Sequence, residues 1–236
     1  DGRFVAQRAG DYTVVATAGN LVATKTIGIG HRWASQRITH EGTGQGRVAN
    51  YHTSDLWVWS GKDGRDYAVT GTWGASGVAY FWDVTDPAAP VKTDSIQVDA
   101  RTVNDVKVDV DRELCVITRE GASNRKNGFL VLDCHDPRHV QVLSRFDDGL
   151  WGGVHNVNIW NQHVFAINNG TRFDIISIED PSHPKRVGVF ELDTPGHGIH
   201  DVWVVDGIAY ASNWQDGVVL VDVGNGKWGG SLAHPV

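Results

Sequence analysis

The hydrophobic residues of this chain occur in short runs that polar and glycine-containing segments separate. The runs are rich in Val, Ile, Tyr, Phe and Trp, and turn pairs such as Asp-Gly, Asn-Gly and Asp-Pro lie between them. No window of ten or more residues repeats apolar side chains at the i, i+3, i+4 and i+7 positions of an amphipathic helix. The pattern therefore predicts an all-β protein.

From residue 47 onwards the strand pattern repeats. Each unit opens on a polar pair followed by a short apolar run, and the four openings are Ser54–Val58, Asn104–Val108, His155–Ile159 and His200–Val204. A second run, an almost continuously apolar third run and, in the clearest cases, a fourth run follow. Continuous apolar runs indicate strands that are buried on both faces. Four strands in every 45–50 residues or so are typical of a β-propeller blade.

We therefore predict at least four four-stranded blades, at approximately 47–99, 100–150, 151–196 and 197–236. The third runs share a motif, seen in Tyr80–Asp83, Leu130–Asp133 and Val219–Asp222, and Asp-Pro follows it in the first three units but not in the last. The motif resembles that of the LVIVD-repeat family of bacterial propellers over roughly residues 47–236. The resemblance implies the propeller fold and an extracytoplasmic location, but no common activity.

Residues 1–29 have a different pattern. Tyr12–Thr17 and Leu21–Ile27 flank Gly19-Asn20, which is a hairpin signal. The first of these runs resembles the closing strands of a bacterial immunoglobulin-like β-sandwich, and the polar, glycine-rich segment 30–46 is predicted to be a linker. A lone hairpin is marginally stable, four blades do not usually close a ring, and Met is absent. We expect a partial or processed chain whose blades belong to a larger ring.

Composition excludes several classes of protein. The chain has 21 Lys and Arg against 28 Asp and Glu, a net charge of −7, and it lacks a basic cluster, which argues against a nucleic acid partner. No apolar run is long enough for a transmembrane segment. Cys115 and Cys134 are the only cysteines. If their strands pair symmetrically about Ser123, they lie three residues out of register, which predicts two free thiols.

The polar openings of the first strands are the candidate site. First strands are innermost in a propeller, so their starts converge on one mouth of the central channel. Asp or Asn recurs there in every unit, and we expect these side chains to hydrogen-bond the backbone of the preceding loop. Histidine opens only two of the four first strands. The histidines near the mouth, together with the carboxylates of Asp105 and Asp201, are candidate ligands for a divalent metal; otherwise no cofactor is predicted. The metal candidates are His52, His155, His197 and His200. The binding candidates are Asn104, Asp105, His155, Asn156, His200, Asp201, Trp151 and Trp214.

Seven of the ten tryptophans fall into two groups by position. Trp57, Trp82 and Trp203 lie within strands and are predicted to pack between blades. A second group lies beside glycine-rich turns, where a contact surface forms, and comprises Trp73, Trp151, Trp214 and Trp228.

The sequence contains no nucleophile elbow and no complete calcium loop. We therefore expect a non-catalytic binding or scaffolding module, periplasmic or extracellular, that docks a protein or glycan partner at the cell envelope. Two alternatives stay open. One is a metal-assisted hydrolase or lyase with its site at the channel mouth, and the other is a structural subunit of a larger membrane-associated assembly.

Overall fold

The fold is seen in a computed structural model, which describes residues 10–30, 44–48, 51–74 and 76–236. The chain divides into two compact units, Asp1–Glu41 and Gly42–Val236. Residues 31–43, most of the predicted linker, lie outside the described residues. In the ranges that are described, no helix has the length and apolar character needed to cross a membrane.

The first unit contains a β-hairpin. Strands β1 (Gly10–Ala18) and β2 (Leu21–Ile29) pair antiparallel and are joined at the predicted Gly19-Asn20 turn, so the hairpin prediction is confirmed. They form a two-stranded sheet. The immunoglobulin-like assignment stays a prediction.

The second unit consists of four small antiparallel sheets arranged as the blades of a β-propeller, which confirms the predicted fold class. Their strands are β3 (His52–Ser60), β4 (Asp66–Trp73), β5 (Val78–Asp83) and β6 (Val91–Gln97) in blade 1; β7 (Val106–Asp109), β8 (Leu114–Arg119), β9 (Gly128–Asp133) and β10 (Gln141–Phe146) in blade 2; β11 (Val154–Trp160), β12 (His163–Asn168), β13 (Arg172–Ser177) and β14 (Lys185–Glu191) in blade 3; and β15 (Ile199–Val205), β16 (Ile208–Asn213) and β17 (Gly217–Asp222) in blade 4. The innermost strands β3, β7, β11 and β15 lie next to one another in that order.

Blade 4 has three strands in the structure, where the sequence predicts four. The backbone of Val236 exchanges two hydrogen bonds with that of Asp222, at 2.6 and 3.0 Å. In blade 1 the corresponding pair, Asp83 and Val91, begins the fourth strand. A single residue pair is too short to count as a strand, which explains the difference.

The core consists of three hydrophobic clusters, and each lies between two successive blades. We call the face of a blade that contacts the following blade its rear face, and the opposite one its front face. Between blades 3 and 4, for example, Phe165 and Ile175 on the rear face pack against Val204, Ala209 and Val221 on the front face. Burying an aliphatic or aromatic side chain of this size contributes roughly 1.5–3 kcal/mol. The continuous apolar runs in the sequence reflect this burial on both faces.

Candidate functional site

The innermost strands are irregular where they begin. The ladder register shifts between Thr53 and Leu56 in blade 1, between Val154 and Val157 in blade 3, and between Ile199 and Asp201 in blade 4. A β-bulge of this kind redirects the side chains of the residues it contains. The bulges hold Ser54, Asp55, His155, Asn156 and His200, so they place the predicted polar openings at one end of the channel, which we call the mouth.

The repeated Asp and Asn side chains connect neighbouring blades. Asp55 accepts a hydrogen bond from the backbone N–H of Val106 at 3.2 Å, and Asp105 accepts one from that of Val157 at 2.7 Å. Asn156 donates to the carbonyl oxygen of His200 at 3.1 Å. Each of these bonds extends to the following blade and not to the preceding loop, so the predicted partner was wrong, although the role of these side chains is structural.

Asn104 and Asp201 also bond to backbone. The amide nitrogen of Asn104 donates to the carbonyl oxygen of His155 at 3.0 Å and to the side-chain oxygen of Asn156 at 3.1 Å. Asp201, in blade 4, accepts a hydrogen bond from the adjacent N–H of Val202 at 2.7 Å. The contact of Asp201 is therefore within its own blade.

A charged cluster lies below the mouth, between blades 1 and 2. Lys107 donates to Asp55 at 2.9 Å and also to Asp105. Burial, reinforced by the hydrogen bond to Asp55, raises the pKa of Asp105 well above its usual range. Burial opposes ionisation of Asp55 too, but its hydrogen bonds with Asp105 and Lys107 outweigh that effect and lower the pKa of Asp55 to about 2. Of the two carboxyl groups, Asp55 therefore loses its proton more readily than Asp105.

Two strand tryptophans meet in the channel. The rings of Trp57 and Trp203 stack with their centroids 6.0 Å apart, and the ammonium of Lys107 lies 5.7 Å from the centroid of Trp57. Trp57 packs partly buried against the cluster between blades 1 and 2, as predicted. Trp82 is buried under the segment around Gly46 and Trp203 is 49% exposed, so the predicted packing in the core between blades was wrong for these two. The Trp57–Trp203 stack brings side chains of the first and last blades into contact at the centre.

A pocket of about 400 Å³ opens at the mouth. Its polar and aromatic walls are Glu120, His155, His200 and Trp214, and much of the rest is glycine backbone and the side chain of Asn127. Two of these glycines, Gly121 and Gly153, have φ angles of 69° and 103°, which side-chain-bearing residues rarely adopt. The pocket thus combines an open backbone floor with a small set of side chains able to contact a ligand.

An ion pair sets the charge of the pocket. The Nδ1 atom of His155 lies 3.0 Å from Glu120, and Arg101 lies 2.8 Å from the other carboxylate oxygen. The hydrogen bond to Glu120 raises the pKa of His155, and the same bond lowers the pKa of Glu120. The mouth therefore favours a protonated imidazole beside an ionised carboxylate.

Aromatic rings continue from this ion pair to the edge of the mouth. The ring of His200 lies 5.1 Å from that of His155 and 4.9 Å from that of Trp214, which it meets edge-on. A neighbouring pocket of about 550 Å³ shares Gly152 with the first and is lined by Trp151. Trp214 and Trp151 are 71% and 67% exposed. Each pocket thus has one exposed indole ring in its wall.

The structure brings together two of the four histidines that the sequence proposes as metal ligands. His155 and His200 share the pocket, but His197 pairs with Asp216 at 2.8 Å, and His52 begins β3. Among the residues that the structure describes, no group of three or more His, Cys, Asp or Glu side chains is placed to hold a metal ion. The divalent metal stays an untested prediction.

Sequence reasoning identified four of the residues that line the two pockets, His155, His200, Trp151 and Trp214. It missed Glu120 in the wall of the first pocket and Arg101, which pairs with Glu120. Glu120 follows β8, and the isolated bridge between Thr102 and Glu120 brings the segment that contains Arg101 beside it. The pairing of two loop segments is not visible as a repeat or a motif. The only available signal was the position of Glu120, an acidic residue at the end of a strand that lies beside other strands whose ends face the mouth.

Comparison with known proteins identifies the fold but no family. No family model matches the chain, and no curated protein matches it. Among solved structures, a hypothetical selenium-binding protein from Sulfolobus tokodaii superimposes with a TM-score of 0.54 at 12% sequence identity. The match covers 71% of this chain and 48% of that one, so the present chain spans about half the length of its structural neighbour. Likeness at this level of identity establishes the propeller fold alone.

Proposed function

We propose that this protein is a non-catalytic binding module that docks a glycan of the cell envelope at the mouth of its propeller. The observation that carries the proposal is the pair of adjoining pockets, each with an exposed tryptophan in its wall. An indole ring offers a flat apolar face with a polar edge, and the apolar faces of sugar rings pack on such surfaces. The two pockets share Gly152, so neighbouring sugar units of one chain can occupy both.

The polar groups of the mouth suit the same ligand. His155 and Glu120 supply a donor and an acceptor beside Trp214, and Arg172 and Glu191 do so beside Trp151. A few polar groups in a largely preformed concave site are typical of small-ligand recognition. The residues that line the first pocket include one carboxylate, that of Glu120, whereas glycoside hydrolysis generally uses a pair of carboxyl groups, which favours binding over hydrolysis of the glycan.

The location is part of the proposal. The LVIVD resemblance implies an extracytoplasmic protein, and an envelope glycan is a ligand available there. A protein ligand at the same face is the alternative that would remain if no polysaccharide binds.

The proposal is tested by sedimentation of the protein with insoluble polysaccharides: purified peptidoglycan, chitin and cellulose. We expect one of them to retain the wild type, and the double variant Trp151→Ala/Trp214→Ala to bind at least about tenfold more weakly, equivalent to about 1.4 kcal/mol. Trp228→Ala is the matched control, because Trp228 is also exposed but follows the far end of β17. Failure of all three polysaccharides to bind, or equal loss in the control, would contradict the proposal.

A further inference from the structure

Blade 4 exposes on its rear face the kind of side chains that the other blades bury. Four cross-strand pairs occupy the same position in their sheets: Val69–Phe81, Val116–Val131, Phe165–Ile175 and Tyr210–Leu220. The first three pairs are fully buried against the next blade. Leu220 is 47% exposed, and Val218, which precedes it on the same face, is 62% exposed. The rear face of blade 4 therefore lacks the cover that its register position has elsewhere.

Blade 1 has the complementary gap on its front face. The positions of Leu56 and Val58 on the innermost strand correspond to Val106 and Val108 in blade 2, which are buried against blade 1. Leu56 and Val58 are 54% and 53% exposed. Farther out on this face, Trp82 is covered by the segment around Gly46. The free part of the front face is thus its inner strand.

The exposed rear face of blade 4 and the exposed front face of blade 1 are the same two kinds of surface that pack together at each interface between described blades. At each interface the rear face contributes Val or Phe from its second strand and Phe, Val or Ile from its third strand. These side chains pack against a front face whose first strand contributes Val. Neither free patch carries a charged side chain among its central residues, namely Tyr210, Val218 and Leu220 on blade 4 and Leu56 and Val58 on blade 1. Exposed apolar patches of this kind mark interaction surfaces.

We propose that the rear face of blade 4 binds the front face of blade 1 of a second copy of this chain. Two such contacts, related by a twofold axis, join two sets of four blades into one ring of eight, within the range of known propellers. The inference does not depend on the proposed glycan site, which lies at the mouth.

The experiment is sedimentation equilibrium of the wild-type chain and of two charge variants, Leu220→Glu on the rear face and Leu56→Glu on the front face. We expect a wild-type dimer at micromolar concentration and a dissociation constant at least about 100-fold higher in each variant, because a buried carboxylate lacks a partner. Val142→Glu is the matched control, since Val142 is similarly exposed on the outer strand of blade 2. Circular dichroism confirms that each variant is folded, and Leu220→Ser replaces Leu220→Glu if the latter is insoluble.

An equimolar mixture of the two charge variants provides the decisive measurement. Each variant alone has a defect in both contacts of the dimer, whereas the mixed dimer keeps one contact in which both faces are intact. We expect the mixture to dimerise more tightly than either variant. A monomeric wild type at about 100 μM overturns the proposal, as does a dimer that only Leu220→Glu disrupts, because that result indicates contact between two rear faces. Loss of dimerisation with retained polysaccharide binding separates this inference from the proposed function.

Discussion

Blades 3 and 4 have the same strand register, but only one of them is covered on its rear face. Phe165 and Ile175 of blade 3 lie against blade 4 and are fully buried, whereas their counterparts Tyr210 and Leu220 are exposed. The residue types are similar in both blades, so the difference lies in the neighbour and not in the strand. In a repeat protein, stability is carried by the contacts between units as much as by the units.

The same contrast holds for the polar links between blades. Asp55, Asp105 and Asn156 bond to backbone of the following blade, while the equivalent Asp201 bonds to its own strand. The same position, occupied by Asp in two blades and by Asn in the third, thus connects each of these three blades to the next, and in the fourth blade Asp201 lacks that role. The residue type at this position therefore does not show by itself whether the side chain connects two blades; the backbone group that it bonds does.

The largest difference between the two blades is expected from truncation of the paired core residues. Ile175→Ala leaves a cavity at a packed interface and should lower the free energy of unfolding by about 3 kcal/mol. Leu220→Ala removes a half-exposed side chain and should cost less than about 1 kcal/mol in dilute protein. Urea unfolding of both variants, with equal m-values, measures the two costs. Equal costs would show that the rear face of blade 4 is covered in the isolated chain.

A smaller difference is expected for the interblade aspartates. Asp105→Ala leaves the buried N–H of Val157 without its acceptor and deprives Lys107 of one of two partners, which should cost about 2–3 kcal/mol. Asp201→Ala affects only a local contact and should cost less than about 1 kcal/mol. Thermal or urea unfolding gives both values. A cost for Asp201→Ala as large as that for Asp105→Ala would contradict the assignment of the interblade bond as the stabilising feature.

The sequence predicts the fold well because burial on both faces leaves a direct trace in the hydrophobic pattern. Continuous runs such as Phe129–Asp133 mark third strands, and the repeat of the whole unit identifies blades. The site is less accessible to such reasoning. His155 and His200 come together because bulges interrupt β11 and β15, and a bulge depends on pairing that the one-dimensional pattern does not contain.

The register of the strands in blade 2 is a second feature that the one-dimensional pattern does not contain. Symmetric pairing about Ser123 predicted that Cys115 faces Val131, but Cys115 pairs with Leu132 because the loop between Arg119 and Gly128 contains an even number of residues. The prediction of three residues of stagger was therefore wrong. Cys134 lies two residues from the partner of Cys115, on the same face, and the two thiols are in contact. Both are buried and free, as predicted, and burial raises the pKa of Cys134 well above its usual range.

The smallest effect concerns a single proton at the mouth, where blades 2 and 3 meet. Glu120 raises the pKa of His155 above its ordinary value of 6.5, so the stabilisation from this pair is present below pH 6.5 and is lost as the pH rises through the raised pKa. Glu120→Gln should return the pKa of His155 towards 6.5 and remove this pH dependence, as measured by NMR titration of the imidazole. Glu179→Gln, in the loop after β13, should leave the titration unchanged. If the pKa of His155 stays raised in Glu120→Gln, the charge that holds its proton comes from another residue of the mouth, with Asp201 the first to substitute, since its carboxylate also favours protonation of His155.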